Sequence, residues 1–184
     1  GWSPDDRISN REITQGSYRP RNAAGRYSDS LSLTDAFAQS SNVAAVRLMQ
    51  QVGSEKVIAT ARELGVRSPL PEGDPSLALG TSTMTLLELT SAYAGIAANA
   101  LPVKPHAIAR EEDSFWQKLW DGPGRLSRRT HEDMESMLRR AINSGTGHAA
   151  MLPIANFGKT GTTQDSRDAL FVGYAGDLVV GVWV

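Results

Sequence analysis

Apolar residues along this chain keep one spacing for most of its length and then change it. From Thr34 to about residue 150 they recur with the period of a helix. Ala36 and Phe37, then Val43, Val46, Leu48 and Met49, make one such stripe, and Val57, Ile58, Ala61 and Leu64 a second. Leu86, Leu89, Tyr93 and Ile96 make a third, and Met134, Met137, Leu138, Ala141 and Ile142 a fourth. This spacing predicts amphipathic helices with their apolar faces in a core, methionines included. Beyond Phe157 the apolar runs become short, dense and rich in β-branched and aromatic residues. Ala169 to Ala175 and Leu178 to Val184, parted by Gly176-Asp177, predict two strands of an antiparallel hairpin. Phe157 to Thr163 predicts a third strand beside them.

The residues between the stripes set the boundaries. Thr34 can cap the first helix. Asn and Ser compete with the helical backbone for hydrogen bonds, so Ser40-Ser41-Asn42 predicts a corner between two helices. On local grounds Ser41 or Asn42 could equally be a plain N-cap. Gly65 stops the next helix, Thr85 with Glu88 forms a capping-box pattern, and that helix ends near Asn99. Thr130 opens the last helix, and Asn143 to Gly147 turns the chain. Residues 1–33, rich in Arg, Ser, Asn, Gly and Pro, predict loop packed onto something else, and residues 66–84 predict loop again. His106 to Arg110 and Phe115 to Trp120 predict a hairpin across Glu112-Asp113-Ser114. Helices first and strands last make the fold class α+β, one domain over 1–184, mainly helical in 34–150 with sheet strands in 155–184.

Composition narrows the chemistry. The 184 residues can bury a sizeable core, and 19 basic against 20 acidic residues give a net charge of −1, so no global field draws nucleic acid or a charged membrane surface. With no cysteine there is no disulfide, thiol nucleophile or Cys-ligated metal. His106, His131 and His148 lack metal-ligand spacing and read as surface or loop residues, so no metal or cofactor is expected. No run is apolar enough to span a bilayer, and no signal-peptide pattern opens the chain. Gly1-Trp2-Ser3-Pro4 reads as the middle of a protein, and Gly181 to Val184 stops within a strand. The expectation is a piece of a longer chain.

Candidate chemistry gathers in Lys159-Thr160-Gly161-Thr162-Thr163. Small hydroxyl and hydrogen side chains behind a lysine pack poorly, which predicts a strand at a sheet edge. Such an edge has unpaired donors and acceptors to which an extended peptide can add. Gly161 leaves that approach open. Lys159 supplies a cation, and Thr160, Thr162 and Thr163 supply hydroxyls suited to a carboxylate.

Three features then agree in order: Ser40-Ser41-Asn42, the Gly145-Thr146-Gly147 turn, and Lys159-Thr160-Gly161. S-x-x-K, S-D-N and K-T-G together mark penicillin-binding proteins and class A β-lactamases. The sequence resembles the transpeptidase domain of penicillin-binding proteins, most closely the bifunctional class A type. The likeness also runs through Tyr18 to Asn22, Gln39 to Val46, Leu79-Gly80, Ala92 to Ala94, Gly145 to Ala150 and Phe157 to Val184. It implies the penicillin-binding/serine β-lactamase-like fold and a D,D-transpeptidase that cross-links peptidoglycan stem peptides by serine acyl transfer. It further implies β-lactam antibiotics as ligands, and a place outside the cytoplasmic membrane, held by an N-terminal anchor that this chain lacks.

By the same resemblance, Ser40 and Asn42 are the serine and asparagine of S-x-N, and Lys159 the lysine of K-T-G, with catalytic roles. Ser40 would share in carrying a proton to the leaving nitrogen, and Asn42 would orient base and substrate amide. Thr160, Gly161, Thr162 and Thr163 would bind substrate, Thr162 and Thr163 taking its carboxylate and the Thr162 N–H the oxyanion. One motif is missing. No serine here is followed three residues later by lysine, so the nucleophile is expected on the N-terminal part of the same protein. The isolated chain is then expected to be inactive in acylation. The alternatives are a non-catalytic peptide- or β-lactam-binding fragment and a serine β-lactamase-like hydrolase. The latter lacks the Glu-x-x-x-Asn that class A deacylation uses.

Overall fold

The structure, a computed structural model, describes residues 1–14, 16, 18–108, 123–162 and 169–184. The hairpin expected between His106 and Trp120 lies largely outside the described residues.

Residues 1–33 are not all loop. Arg7–Asn10 (β1) and Ser28–Ser32 (β2) pair antiparallel, with Ile8 opposite Leu31. The inward positions of β1 are Ile8 and Asn10, so one of the two is polar and the apolar alternation that marks a strand is missing. Leu33–Ala38 (α1) follows directly. Its cap is Ser32, whose Oγ accepts from Asp35 N at 3.1 Å. Thr34 lies inside the first turn instead, and its hydroxyl donates to the Pro4 carbonyl at 3.1 Å.

Asn42–Val52 (α2) begins after the Ser40-Ser41 corner, and Ser54–Glu63 (α3) after Gly53. Leu86–Ala98 (α4) opens on the full capping box of Thr85 and Glu88. Glu88 also accepts from Ser68 Oγ at 2.7 Å, and these hydrogen bonds hold its carboxyl down at about 2. The last helix, Arg128–Ser144 (α5), starts before Thr130, because Ser127 is the cap. Two arginines in a first turn oppose the helix dipole and hide that start. Arg128 and Arg129 reach Glu132 and Asp133 one turn on, at 2.8 and 3.8 Å. His131 sits on this helix rather than in a loop, and its Nε2 donates to the Ile96 carbonyl at 2.8 Å.

Phe157–Thr162 (β3), Ala169–Ala175 (β4) and Leu178–Trp183 (β5) form an antiparallel sheet in the order β3-β4-β5. β3 is therefore an edge among the described residues. Phe157 faces Tyr174 across the strands, with ring centroids 4.9 Å apart.

Two apolar clusters hold these parts together. Ile8, Leu33, Ala36 and Ala44 bury with Met137 packed against them, and Ile96, Leu138 and Tyr174 bury with Phe37, Met134 and Phe157. The α5 helix contributes to both, Met137 to the first and Leu138 with Met134 to the second, so it fixes the helical corner relative to the sheet. Leu138 and Ile142 are fully buried, and each such side chain contributes about 2–3 kcal/mol. Two glycines let backbones approach. A Cβ on Gly181 would strike Thr90 Oγ1, so glycine allows α4 to lie on β5. At Gly145 a Cβ would stand 2.7 Å from the Ala141 carbonyl oxygen and closer still to that of Ala38, the carbonyl that accepts from Thr146 N at 3.0 Å.

The crowding at Gly145 is all backbone, which cannot swing aside. Gly145→Ala should therefore lower unfolding free energy by about 2 kcal/mol, read as a lower urea midpoint at unchanged slope. A midpoint equal to that of the unsubstituted chain would mean that α1 and α5 do not meet this closely.

Candidate active site

The C-terminus of α1, the N-terminus of α2, the turn after α5 and the free edge of β3 border one cleft of about 520 Å³. Its wall is mixed: Phe37, Leu48 and Met137 are apolar, while Ser40, Asn42, Thr146, Lys159 and Thr160 bring polar groups to the same space.

Lys159 enters from β3 and is half-buried. Its ammonium has three N–H donors, and three acceptors are at hand. Nζ donates to Ser40 Oγ, to the Thr160 carbonyl at 2.9 Å and, at 3.4 Å, to Thr146 Oγ1. Nζ also stands 5.7 Å from the centre of the Phe37 ring, within cation–π range. Burial disfavours the charged form and lowers the lysine from its ordinary 10.5 to about 8. Near neutral pH this amine is mostly charged yet can give up its proton readily.

Ser40 lies between the two helices with φ +54°, in the left-handed region. A side chain with a Cβ pays about 1–2 kcal/mol there, so the surroundings must hold it. Ser40 N donates to the Phe37 carbonyl at 3.1 Å, and Ser41 N to that of Ala36 at 2.9 Å. Ser41 is the N-cap of α2, accepting from Ala44 N at 3.2 Å. Ser40 and Ser41 both line the cleft, and Ser41 also caps the helix. Asn42, the first helical residue, donates from Nδ2 to the Arg21 carbonyl at 2.7 Å. A carbonyl can only accept, which fixes the amide's orientation.

On β3, Thr160 Oγ1 bonds Thr146 Oγ1 at 2.6 Å, and Gly161 and Thr162 line the cleft beyond them. A Cβ on Gly161 would meet Leu170 Cβ at 3.5 Å, an ordinary contact. The protein's own packing does not demand glycine there. Thr163 lies outside the described residues. The structure thus brings together Ser40, Asn42, Lys159, Thr160, Gly161 and Thr162. Sequence reasoning assigned no role to Thr146, although the Gly145-Thr146-Gly147 turn marked its place, nor to Phe37 or to the Arg21-Asn22 segment. Thr146 meets Thr160 and Lys159 through its hydroxyl, the Arg21 carbonyl holds Asn42, and Phe37 offers its ring face; these contacts join residues distant in sequence and leave no motif.

A family model described as penicillin binding protein transpeptidase domain matches residues 1–180. Penicillin-binding protein 1A of Rickettsia typhi is 31% identical over 205 residues, covering 94% of this chain and 26% of that protein. Penicillin-binding protein 1A of Aquifex aeolicus is 35% identical over 170 residues, covering 90% and 23%. The chain therefore spans about a quarter of the length of these relatives. The crystal structure of penicillin-binding protein 1A from Haemophilus influenzae superposes with a TM-score of 0.83 at 22% identity, over 100% of this chain and 35% of that one, which supports the α+β fold. With the lysine, the serine–asparagine corner and the strand edge converging on one cleft, and with nearly every residue inside the matched span, this chain belongs to the penicillin-binding protein transpeptidase family.

Proposed function

We propose that the cleft is the acyl-transfer site of a D,D-transpeptidase, which binds the D-alanyl-D-alanine end of a peptidoglycan stem peptide and, in its place, a β-lactam. Lys159 carries this reading. It is a dehydrated cation on a free strand edge, and its Nζ meets the hydroxyl of a serine held on a helix corner. The substrate peptide adds to β3 as an extra strand. Lys159 attracts its carboxylate, and the hydroxyls of Thr160, Thr162 and Thr163 donate hydrogen bonds to it. The nucleophilic hydroxyl gives its proton to a nearby base as its oxygen bonds to the penultimate carbonyl carbon, and the bond to the terminal D-alanine nitrogen breaks. Ser40 hands that nitrogen its proton and recovers one through the amine beside it. Asn42 orients the peptide amide, and the Thr162 N–H holds the oxyanion. An amine of a second stem peptide then takes the acyl group: its nitrogen bonds to the carbonyl carbon, the bond to the nucleophilic oxygen breaks, and that oxygen regains a proton from the amine.

The nucleophile itself sits on a Ser-x-x-Lys helix supplied by another part of the parent protein. The chain alone captures ligand without acylation. The parent works on the extracytoplasmic face of the inner membrane, and among the described residues no helix is long and apolar enough to cross a bilayer.

Incubation with a fluorescent penicillin, followed by intact mass, tests this. No covalent label is expected on the chain alone, and slow, stable label is expected when the N-terminal part is supplied. Label on the chain alone would overturn the placement of the nucleophile, and rapid turnover would indicate a hydrolase. In the full-length parent, Lys159→Ala should cut acylation by at least about 100-fold while shifting Tm by only a few degrees, since the lysine contributes more to the site than to packing. A comparable loss of stability would make it a structural lysine. Because the charged form exists below about 8, β-lactam affinity should hold below that pH and fall as pH rises through it. The Lys159→Ala profile should be flat over the same interval. Gly161→Ala, which the protein's packing tolerates, should keep Tm within about 2 °C yet slow labelling at least tenfold, because the added methyl stands where the ligand backbone approaches.

A further inference from the structure

Behind the serine–asparagine corner lies a cluster of polar side chains that the chemistry above does not use. Asn10, Asn22 and Ser41 are 3%, 7% and 6% exposed. Ser41 Oγ donates to Asn10 Oδ1 at 2.6 Å, and Asn22 Nδ2 donates to the same oxygen at 2.9 Å and to the Arg26 carbonyl at 2.7 Å. Asn10 Nδ2 in turn donates to Ser28 Oγ at 3.1 Å. Asn22 Oδ1 accepts from Val43 N at 3.1 Å, satisfying one of the orphan donors in the first turn of α2. Three polar side chains buried this deeply cost several kcal/mol if left unpaired, so the cluster is stable only when every member keeps its partner.

Its position matters more than its stability. Asn22 grips the first turn of α2 from one side. Next to it in sequence, the Arg21 carbonyl holds the Asn42 amide. Ser41 Oγ, tied to Asn10, caps the same turn and adjoins Ser40 in its left-handed conformation. If Asn22 releases Val43 N, the 21–26 segment can separate from α2. Asn42 then loses its anchor, and Ser40 is free to relax to an ordinary φ, away from Lys159. A single buried amide thus controls two cleft groups without touching either.

We propose that Asn22, seated on Asn10, is a positioning residue for the acyl-transfer site: it holds the helix corner so that Ser40 and Asn42 face Lys159. This rests on the transpeptidase reading given above. Asn22 acts through the corner, so its loss should change the rate of acylation more than the capture of the ligand.

The test uses the full-length parent protein, with the bound and the acylated steps of a fluorescent penicillin measured separately at a temperature where all variants are folded. Asn22→Ala should lower the limiting acylation rate at least tenfold and change the affinity less than threefold. Hydrogen exchange in peptides covering residues 39–48 should quicken at least tenfold, with α4 unchanged. Glu88→Ala, which removes the capping-box carboxylate of α4 outside the cleft, serves as a control for lost Tm and should keep the wild-type acylation rate. Should Asn22→Ala fail to fold, Asn10→Ala keeps the Asn22–Val43 bond and should show the same changes at smaller size. An Asn22 variant that acylates within twofold of wild type, or rates that track Tm in both Asn22→Ala and Glu88→Ala, would overturn the proposal. If the wild-type parent takes no label at all, the transpeptidase reading fails instead. Exchange at residues 39–48 then decides the corner on its own: no faster exchange in Asn22→Ala overturns it.

Discussion

One polar contact sets the terms for the rest: the Lys159 ammonium against the Ser40 hydroxyl, between a strand edge and a helix corner. An ammonium loses much of its hydration in such a place, and here burial alone lowers its proton affinity. The surroundings restore only part of the loss, with the Thr160 carbonyl, Thr146 and the face of Phe37. Packing elsewhere must hold both sides of the cleft while that charge stays poorly solvated. The α5 helix does so by sharing its apolar side chains between the two clusters.

The corner shows how strain and polarity are combined. Ser40 is in a conformation that few side chains with a Cβ adopt, and its neighbour in sequence, Ser41, is polar and buried. An all-apolar support would pack as well, but it could not fix the direction of an amide. Hydrogen bonds are directional, and the Arg21 carbonyl selects one face of Asn42.

Most of the helical part was legible because its signals are local. The capping box at Thr85 and Glu88, the stop near Asn99 and the stripe through Leu138 and Ile142 each follow from residues a turn apart. The three C-terminal strands were equally plain in their β-branched runs around Gly176. The β1 and β2 strands were not, since an inward Asn10 satisfied by distant residues looks like any loop asparagine. The start of α5 was hidden by Arg128 and Arg129, whose carboxylate partners lie within the helix. At the site, Ser40, Asn42 and Lys159 stood out as types in order. Thr146, Phe37 and Asn22 did not, because the groups they meet lie far off in sequence and are brought close only by the folded chain.

The left-handed setting of Ser40 has a bearing on any effort to make this domain hardier. Glycine or asparagine would sit at that φ with less strain, so a screen that rewards heat resistance alone would favour them. The substitution that relaxes the backbone would also delete the hydroxyl facing Lys159. Robustness and the contact with Lys159 compete here at a single Cα.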